Sequence, residues 1–299
     1  MSRRRALIAA QDIGQKINGN ALTWQVGNYN AVGTYSSSTT TYICTSDYVE
    51  VQDAKIDYTG PIEDTNNVLY ACHVLMYDSD HNFLGRVGLT DGSGGLTAFE
   101  VSAFCRYVRF NFGHTASSGT TMSASDGQYF SALASKVPAH TITWLYNNGT
   151  ISDILSGFNN DGYAKYESSF SATQDTEYLR IYTSSTSSSY KGGKTFTATN
   201  QLPQSFVGKT MYAKGEHKNS DSSASDYARV YVSDSVASST ELTSAFVNSI
   251  SVSGNLKTDA ALNDWGLLLR LTKVGYFSLV GQKNGSGATD IRFKEVWVE

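Results

Sequence analysis

Residues 68–89, VLYACHVLMYDSDHNFLGRVGL, carry the clearest structural signal in the chain. Residues 68–77 form a continuous, largely apolar run whose length is typical of a strand buried on both faces. Residues 78–82 are turn formers, and residues 83–89 return as an apolar partner strand. The stretch therefore predicts a β-hairpin near the centre of a sheet.

The rest of the chain has the composition of a protein built from strands and turns. Charged residues make up only 17% of the 299 residues, below the roughly 25% of typical soluble domains. The 19 Tyr and 13 Phe are set among Ser, Thr, Gly and Asn, a mixture that favours strands joined by turns. Pro61, Pro138 and Pro203 fall near predicted strand edges or in loops, where a sheet tolerates proline. We predict an all-β fold.

The length of the chain suggests two domains of about 150 residues each. We predict two jelly-roll or β-sandwich modules with an extended N-terminal arm. Residues 1–34 have weak periodicity and are interpreted as a docking arm, so a chain without them should keep both modules folded. Residues 35–116 form the first small β-sandwich, residues 117–138, rich in Ser, Thr, Gly and Ala, a linker, and residues 139–299 the second jelly roll. The Asn147-Asn148-Gly149 step predicts a type I′ hairpin turn at the start of that second module.

Charge and hydropathy exclude several partners. The formal net charge of −4 leaves no large basic face for nucleic acid, so no nucleic-acid binding is expected. No stretch approaches the roughly 20 apolar residues of a membrane span, so no membrane insertion is expected. The one charge cluster is Arg3, Arg4 and Arg5, which either contacts an acidic partner during assembly or is merely solvated.

The cysteines indicate a protein that folds under reducing conditions. Cys44, Cys72 and Cys105 are widely spaced, lie in strand-like runs and form no CxxC pair. An odd, scattered set argues against a disulfide framework and against zinc. We predict three buried free thiols.

The sequence contains no motif for a metal ion, a cofactor or catalysis. Asp78-x-Asp80-x-Asn82 begins like a calcium loop, but Phe83 holds the required glycine position and Leu89 the position of the bidentate Glu. The histidines are scattered, and no GxSxG elbow, P-loop or GxGxxG occurs. We therefore expect a protein that is not an enzyme and needs no cofactor. A glycan depolymerase with a site assembled from distant strands remains the alternative.

Carbohydrate binding needs fewer residues than catalysis, because an exposed aromatic ring can stack on the apolar face of a sugar. Tyr163, Tyr190 and Trp265 lie at loop edges and are the candidate glycan contacts, with ordinary packing as the alternative for each. Trp144 and Trp297 lie inside apolar strands and are predicted to belong to the core.

A short pattern recurs along the chain. Phe99 precedes Tyr107-Val108-Arg109-Phe110 by eight residues, and Phe170 precedes Tyr178-Leu179-Arg180-Ile181 by the same eight. Tyr227-Ala228-Arg229-Val230 is a third copy without the leading Phe. The repeat indicates either a duplicated β-module or simply a recurrent amphipathic strand, and both interpretations predict strands with one solvent-facing side.

One region has a counterpart in a known family. The residues concerned are Tyr48-Val49-Glu50-Val51, residues 75–84 (LMYDSDHNFL), Phe99 and residues 106–112 (RYVRFNF). Over about 70 residues they resemble a module common in tail, baseplate and fibre proteins of phages of Gram-positive gut bacteria. In that family the module is a small jelly roll of carbohydrate-binding-like shape. The chain departs from the family at residues 101–103 (VSA), where a proline more often precedes the closing strand.

The resemblance implies a bacteriophage virion structural protein, assembled in the cytoplasm of the host bacterium. As a tail, baseplate or fibre component, it would contact other virion proteins through residues 1–34 and a host cell-surface glycan through its modules. The expected assembly is a homo-oligomer, a trimer before other states. The alternative is a head-decoration or head-fibre protein that docks on the capsid through the same arm.

Overall fold

The computed structural model describes residues 14–65, 67–89, 96–114, 120–160, 170–187, 191–221, 225–235, 249–256 and 260–299. The chain forms two compact units that divide between His140 and Thr141. Strands dominate both units, and the helices in the described ranges are short 3-10 segments. The predicted all-β fold is confirmed. In the same ranges, no helix is long and apolar enough to cross a membrane.

In the part of unit 1 that the structure describes, the strands form two sheets and a small hairpin. Its strands are β1 (Gln15–Asn18), β2 (Trp24–Val26), β3 (Asn28–Tyr29), β4 (Tyr35–Ser36), β5 (Tyr42–Thr45), β6 (Val49–Glu50), β7 (Ala54–Tyr58), β8 (Tyr70–Tyr77), β9 (Phe83–Leu89), β10 (Ala98–Glu100), β11 (Tyr107–His114) and β12 (Ser131–Lys136). Two 3-10 segments span Gly19–Ala21 and Ala124–Tyr129. Sheet A has the order β1-β12-β7-β10, and sheet B has the order β2-β5-β11-β8-β9, with β6 also paired to β11. Strands β3 and β4 pair separately.

An aromatic core lies between sheets A and B. The Phe130 ring, just before β12, lies 4.7 Å from that of Phe110 on sheet B and 6.2 Å from that of Tyr58 on sheet A. Trp24 adds a ring 5.3 Å from Phe130 in an edge arrangement. Such tilted and edge contacts are the preferred geometry of aromatic pairs. Phe130 therefore joins the two layers.

Strands β8 and β9 form the predicted hairpin. Seven of the eight residues of β8 are buried, the exception being His73, because the strand lies between β11 and β9. In the turn, Asp78 Oδ1 accepts hydrogen bonds from the backbone N–H groups of Asp80 and Asn82, each at 2.9 Å. The carboxylate is thus used to hold the turn, as an Asx motif does.

The predicted arm is wrong for residues 14–34. Strand β1 pairs with β12 from Gln15 to Asn18, and Trp24 is buried and donates from Nε1 to the Gly19 carbonyl at 2.9 Å. Tyr29 is also buried, and its backbone N–H donates to Asn111 Oδ1 at 3.0 Å. These residues supply a sheet edge and core side chains, so they cannot act as a detachable arm. Residues 1–13, with Arg3, Arg4 and Arg5, lie outside the described residues.

The predicted linker is wrong as well for residues 120–138, the part of it that the structure describes. Strand β12 lies inside sheet A and pairs with both β1 and β7. Met122 and Phe130 are buried. Four of the six residues of β12 are Ser or Ala. This composition resembles that of a loop, although every residue of the strand forms a registered pair. The division between the compact units falls after this strand.

The described residues of unit 2 also form two sheets. Its strands are β13 (Thr143–Asn147), β14 (Thr150–Ile151), β15 (Phe158–Asn159), β16 (Ser171–Gln174), β17 (Leu179–Thr183), β18 (Lys191–Gln201), β19 (Thr210–Asn219), β20 (Ser225–Ser233), β21 (Ile250–Leu256), β22 (Asn263–Arg270), β23 (Tyr276–Asn284) and β24 (Thr289–Val298). Two 3-10 segments span Asp153–Leu155 and Gln204–Phe206. Sheet C follows the path β14-β13-β24-β17-β16, and β19 joins β24 to β22. Sheet D has the order β15-β18-β23-β20-β21.

Sheets C and D make close apolar and polar contacts. A Cβ atom placed on Gly281 of β23 would lie 2.9 Å from Cβ of Ile181 on β17, so glycine is what allows the layers to approach there. His217 of β19 and Asp226 of β20 are buried and meet at 2.8 Å. Asn219 and Thr289 each donate to the same carboxylate oxygen at 2.8 Å. This network joins the two layers at a point where an unpaired charge would be costly.

Two further local predictions are confirmed. Asn148 and Gly149 both have positive φ, 42° and 88°, as a type I′ turn between β13 and β14 requires. Cys44, Cys72 and Cys105 are all buried, and none of them forms a disulfide.

Candidate functional site

The outer face of sheet C, the side turned away from sheet D, carries an unusual set of side chains. Along β17, Leu179 and Ile181 are fully buried, whereas Arg180 and Tyr182 are partly exposed on the other side. The antiparallel register places Arg180 opposite Arg292 and Tyr182 opposite Asp290 of β24. Because cross-strand neighbours share a face, charged groups from several strands gather there.

Five of these residues form what we call the charged ladder: Arg180, Glu216, Asp290, Arg292 and Lys294. Arg180 donates from Nε and Nη2 to the two carboxylate oxygens of Asp290 at 2.9 and 3.0 Å. Arg292 donates from Nη2 to Asp290 at 3.0 Å and approaches Glu216 at 3.5 Å. Lys294 donates to Glu216 at 3.0 Å. The ladder crosses β17, β24 and β19 without a break.

A β-bulge aims the last part of the ladder. Between Lys214 and Gly215 of β19 the pairing skips Lys294 of β24, so that Lys214 faces Glu295 and Gly215 faces Phe293. Bulges commonly redirect side chains at functional positions. Here Lys294 and Glu295 are both partly exposed, and Lys214 pairs with Glu295 at 2.9 Å.

Contacts within the ladder favour the charged forms of Arg180, Asp290 and Arg292. Burial alone would raise the pKa of Asp290, but hydrogen bonds from Arg180 and Arg292 outweigh burial and hold that pKa below its usual value. The hydrogen bond to Asp290 raises the pKa of Arg180. Burial opposes ionisation of Arg292, yet its hydrogen bond to Asp290 leaves the pKa raised. A carboxylate with two arginine partners is a fixed acceptor rather than a proton donor.

Two tyrosine rings flank the ladder. The guanidinium carbon of Arg180 lies 4.1 Å from the Tyr182 ring centroid, and that of Arg292 lies 4.6 Å from the Tyr178 ring. Tyr178 and Tyr182 are partly exposed. Cation–π contact restrains the rings and the guanidinium planes together. The face therefore offers aromatic surface beside pre-positioned hydrogen-bond donors and acceptors.

On the corresponding strand of unit 1, the arginine is covered by contacts with residues of its own unit. Arg109 of β11 lies 3.7 Å from the Tyr48 ring centroid and donates to the Tyr29 hydroxyl at 3.0 Å. A second Arg109 nitrogen donates to the Ser46 carbonyl at 2.8 Å. The imidazole of His81 stacks on Tyr48 at 4.1 Å. Arg109 is thus used within the fold, whereas Arg180 lies on the partly exposed ladder.

The residues expected to contact glycan were Tyr163, Tyr190 and Trp265. Tyr163 and Tyr190 lie outside the described residues. Trp265 is only 2% exposed and packs edge-on against Phe293 at 5.0 Å, so it cannot stack on a sugar; that candidate is wrong because the side chain fills the core. Among the described residues, no three His, Cys, Asp or Glu side chains gather as a metal site.

The sequence contains a signal for the ladder, although the ladder residues are not among the predicted site residues. The recurrent Tyr-x-Arg strand marked Tyr178 and Arg180 as solvent-facing neighbours, and the alternation Asp290-x-Arg292 marked a polar side of β24. What the sequence did not contain was the register that places them opposite each other.

No family model matches the chain, and no curated protein matches it. Solved structures give weak likenesses. A family 29 carbohydrate-binding module from Piromyces equi has 11% identity, covers 53% of this chain and 89% of its own, and has a TM-score of 0.30. The tandem family 22 carbohydrate-binding modules of Paenibacillus barcinonensis Xyn10C have 11% identity, cover 96% and 97%, and have a TM-score of 0.29.

The enzymatically active domain of tailspike protein 4 of bacteriophage CBA120 has 10% identity and a TM-score of 0.30, and the match covers 48% of this chain but only 19% of the tailspike chain. Likenesses with such low TM-scores carry no argument about this chain. What it binds has to be inferred from its own side chains.

Proposed function

We propose that this protein is a structural component of a bacteriophage virion that binds carbohydrate through the outer face of sheet C. The observation that carries the proposal is the charged ladder between Tyr178 and Tyr182, in which mutual hydrogen bonds fix the direction of each polar group.

The ladder has the chemistry that sugar recognition needs. Neighbouring hydroxyls of a sugar pair well with planar guanidinium and carboxylate groups, and the C–H face of a pyranose packs on an aromatic ring. Groups already held in place lose little conformational entropy on binding, so more of the contact energy appears as affinity. Three positive and two negative charges alternate along the ladder, a mixture that suits a polyhydroxylated ligand better than a polyanion.

The same geometry supports binding rather than glycan cleavage. A general acid for glycoside hydrolysis needs a carboxyl group whose pKa is raised. Asp290 has a lowered pKa because of Arg180 and Arg292, and Glu216 is paired with Arg292 and Lys294. We therefore propose a non-catalytic role for this face.

The virion role rests on the resemblance of residues 42–112 to phage tail, baseplate and fibre modules. Within that proposal the chain is a tail, baseplate or fibre component, its partners are other virion proteins, and it assembles as a homo-oligomer, a trimer first. In the head-decoration alternative, the docking element is now reduced to residues 1–13. Immunogold labelling of intact particles distinguishes the two, since label on the tail supports the first and label on the capsid the second.

Carbohydrate binding is tested with the purified full chain on an array of host surface polysaccharides, followed by affinity measurement on the best ligand. Tyr182→Ala should weaken binding about tenfold, the effect of losing one aromatic contact. Tyr227→Ala is the matched control, because the Tyr227 ring lies 5.0 Å from an arginine of the same unit but on sheet D. Equal loss in both variants, or no binding to any host polysaccharide, would contradict the proposal.

A further inference from the structure

Unit 1 contains a cleft of about 530 Å³ whose described lining residues include none from the ladder. It opens between the segment joining β7 to β8 and the 3-10 segment Ala124–Tyr129. The described residues that line it are Pro61, Glu63, Asp64, Thr65, Tyr70 and Tyr129. This volume is within the range of small-ligand pockets, about 300–1,000 Å³.

The apolar wall of the cleft contains the buried ring of Tyr70 and the exposed ring of Tyr129. Tyr70 is buried and stacks on Phe112 with centroids 5.0 Å apart and planes within 9°. Tyr129 is 50% exposed at the end of its 3-10 segment. The Tyr58 hydroxyl donates to the Pro61 carbonyl at 2.6 Å and anchors the loop opposite. A flat ligand can therefore pack on Tyr129 without rearranging the core.

The opposite wall is acidic. Glu63 is exposed and Asp64 half-buried, and Asp64 Oδ1 is held by the Val68 backbone N–H at 3.0 Å. Among the described lining residues, none carries a positive charge. Burial, and then the nearby carboxylates of Asp64 and Asp126, raise the pKa of Tyr70. The negative field of these carboxylates extends to the rings and would favour a cation in the cleft.

A buried histidine lies beside the Asp64 carboxylate that lines the cleft. His114 is only 6% exposed, and its Nδ1 lies 3.9 Å from Asp64 Oδ2. Among the described residues, none forms a hydrogen bond with that nitrogen. A buried polar atom without a partner is costly unless another group or a bound molecule satisfies it. This nitrogen faces the carboxylate that lines the cleft.

We propose that this cleft binds a sugar bearing a protonated amino group. The ammonium would lie between the carboxylates of Glu63 and Asp64, where charge-assisted hydrogen bonds and the face of Tyr129 both attract a cation. The sugar ring would pack on Tyr129 and Pro61. The inference rests on the proposed carbohydrate binding only in its choice of ligand class, since the cleft and the ladder share no residue.

The test uses the full chain and three soluble probes in mildly acidic buffer, where the sugar's amino groups are protonated: a glucosamine tetramer, its fully N-acetylated counterpart and tetralysine. Calorimetry should detect the glucosamine tetramer and show binding at least about tenfold weaker for the acetylated tetramer, which has no charge to pair. Added salt should weaken binding of the glucosamine tetramer more than binding of the acetylated tetramer.

Two variants assign the binding to the cleft. Glu63→Gln and Tyr129→Ala should each weaken binding of the glucosamine tetramer about tenfold. Glu100→Gln is the matched control, because Glu100 is another partly exposed carboxylate of unit 1 and should leave the affinity unchanged. Circular dichroism checks that each variant is folded.

Equal affinity for the acetylated and free-amine tetramers would overturn the proposal, as would no binding at all or the same loss in Glu100→Gln. Tighter binding of tetralysine than of the glucosamine tetramer would also overturn it, because the cleft would then be a peptide site. Loss of host-polysaccharide binding in Tyr182→Ala tests the ladder alone. The two proposals can therefore fail separately.

Discussion

Replacing Asp290 with Asn removes the negative charge that two arginines of the ladder share. Arg180 donates two hydrogen bonds to Asp290, and Arg292 donates to it at 3.0 Å. The Asp290 side chain is 6% exposed, against 30% for Arg180 and 16% for Arg292. The substitution keeps the size of the side chain and one acceptor oxygen but leaves two cations without their shared counter-charge.

The expected cost lies between two known limits. Removing one partner of a fully buried ion pair costs about 3–5 kcal/mol, whereas an exposed pair contributes about 0–1 kcal/mol. Asp290 is buried but its partners are partly solvated, Arg292 keeps its contact with Glu216, and Asn still accepts one hydrogen bond. We expect Asp290→Asn to lower the free energy of unfolding by about 2 kcal/mol at neutral pH.

The pH dependence has a definite sign. The pKa of Asp290 is lowered in the folded protein, so its contribution is complete above the unfolded carboxyl pKa of about 3.9. That contribution is lost as the pH falls through the lower, folded value, because protonation removes the charge. The difference in stability between the original chain and Asp290→Asn should therefore be largest near neutral pH and shrink in acid.

Urea unfolding followed by tryptophan fluorescence measures this difference. Three of the four tryptophans, Trp144, Trp265 and Trp297, belong to unit 2, so the signal reports mainly on that unit. Asp234→Asn is the control: the Asp234 side chain is 61% exposed and pairs with Lys273 at 2.6 Å, and its loss should cost under about 1 kcal/mol. A cost for Asp290→Asn that equals the control, or does not shrink in acid, would refute the reasoning.

Three further outcomes are expected. Deleting residues 1–34 should unfold unit 1, because four buried apolar side chains of that segment each contribute roughly 1.5–3 kcal/mol. Deleting residues 1–13 should leave β1 and the fold intact. Dispersed amide signals from residues of unit 1 in the longer deletion would contradict this. Burial raises the pKa of the Cys72 thiol. Cys72 should therefore resist thiol reagents in the native state and react with them in urea. Fast labelling of Cys72 in the native protein would contradict this expectation. Gly281→Val should lower the melting temperature, because even a Cβ at this position would lie 2.9 Å from Ile181 and overpacking costs about 1–3 kcal/mol. An unchanged melting temperature would show that sheets C and D can separate freely.

Local patterns predicted the elements whose cause is local. The 68–89 hairpin follows from an apolar run, a turn sequence and a second run, and the Asn-Gly turn follows from the positive φ that those residues tolerate. Free thiols followed from the spacing of the cysteines. None of these depends on which distant segment lies beside them.

Composition predicted the wrong structure where small or polar residues form the edges and interiors of sheets. Residues 15–18 and 131–136 have little apolar periodicity, yet each completes the hydrogen bonding of the other in sheet A. Trp265 failed as a glycan contact for the related reason that a strand residue beside a loop can still face the core. A single strand does not reveal whether a second layer covers its surface.

The sequence by itself determined the all-β character of the chain, its hairpins and the amphipathic strands, because side-chain alternation is a property of each segment. The tertiary structure alone decided which polar sides gathered into the charged ladder. Arg180 and Asp290 are 110 residues apart, and Glu216 and Lys294 are 78 apart. Antiparallel register and one bulge bring them together on one face, and those depend on pairings between distant strands that no local pattern encodes.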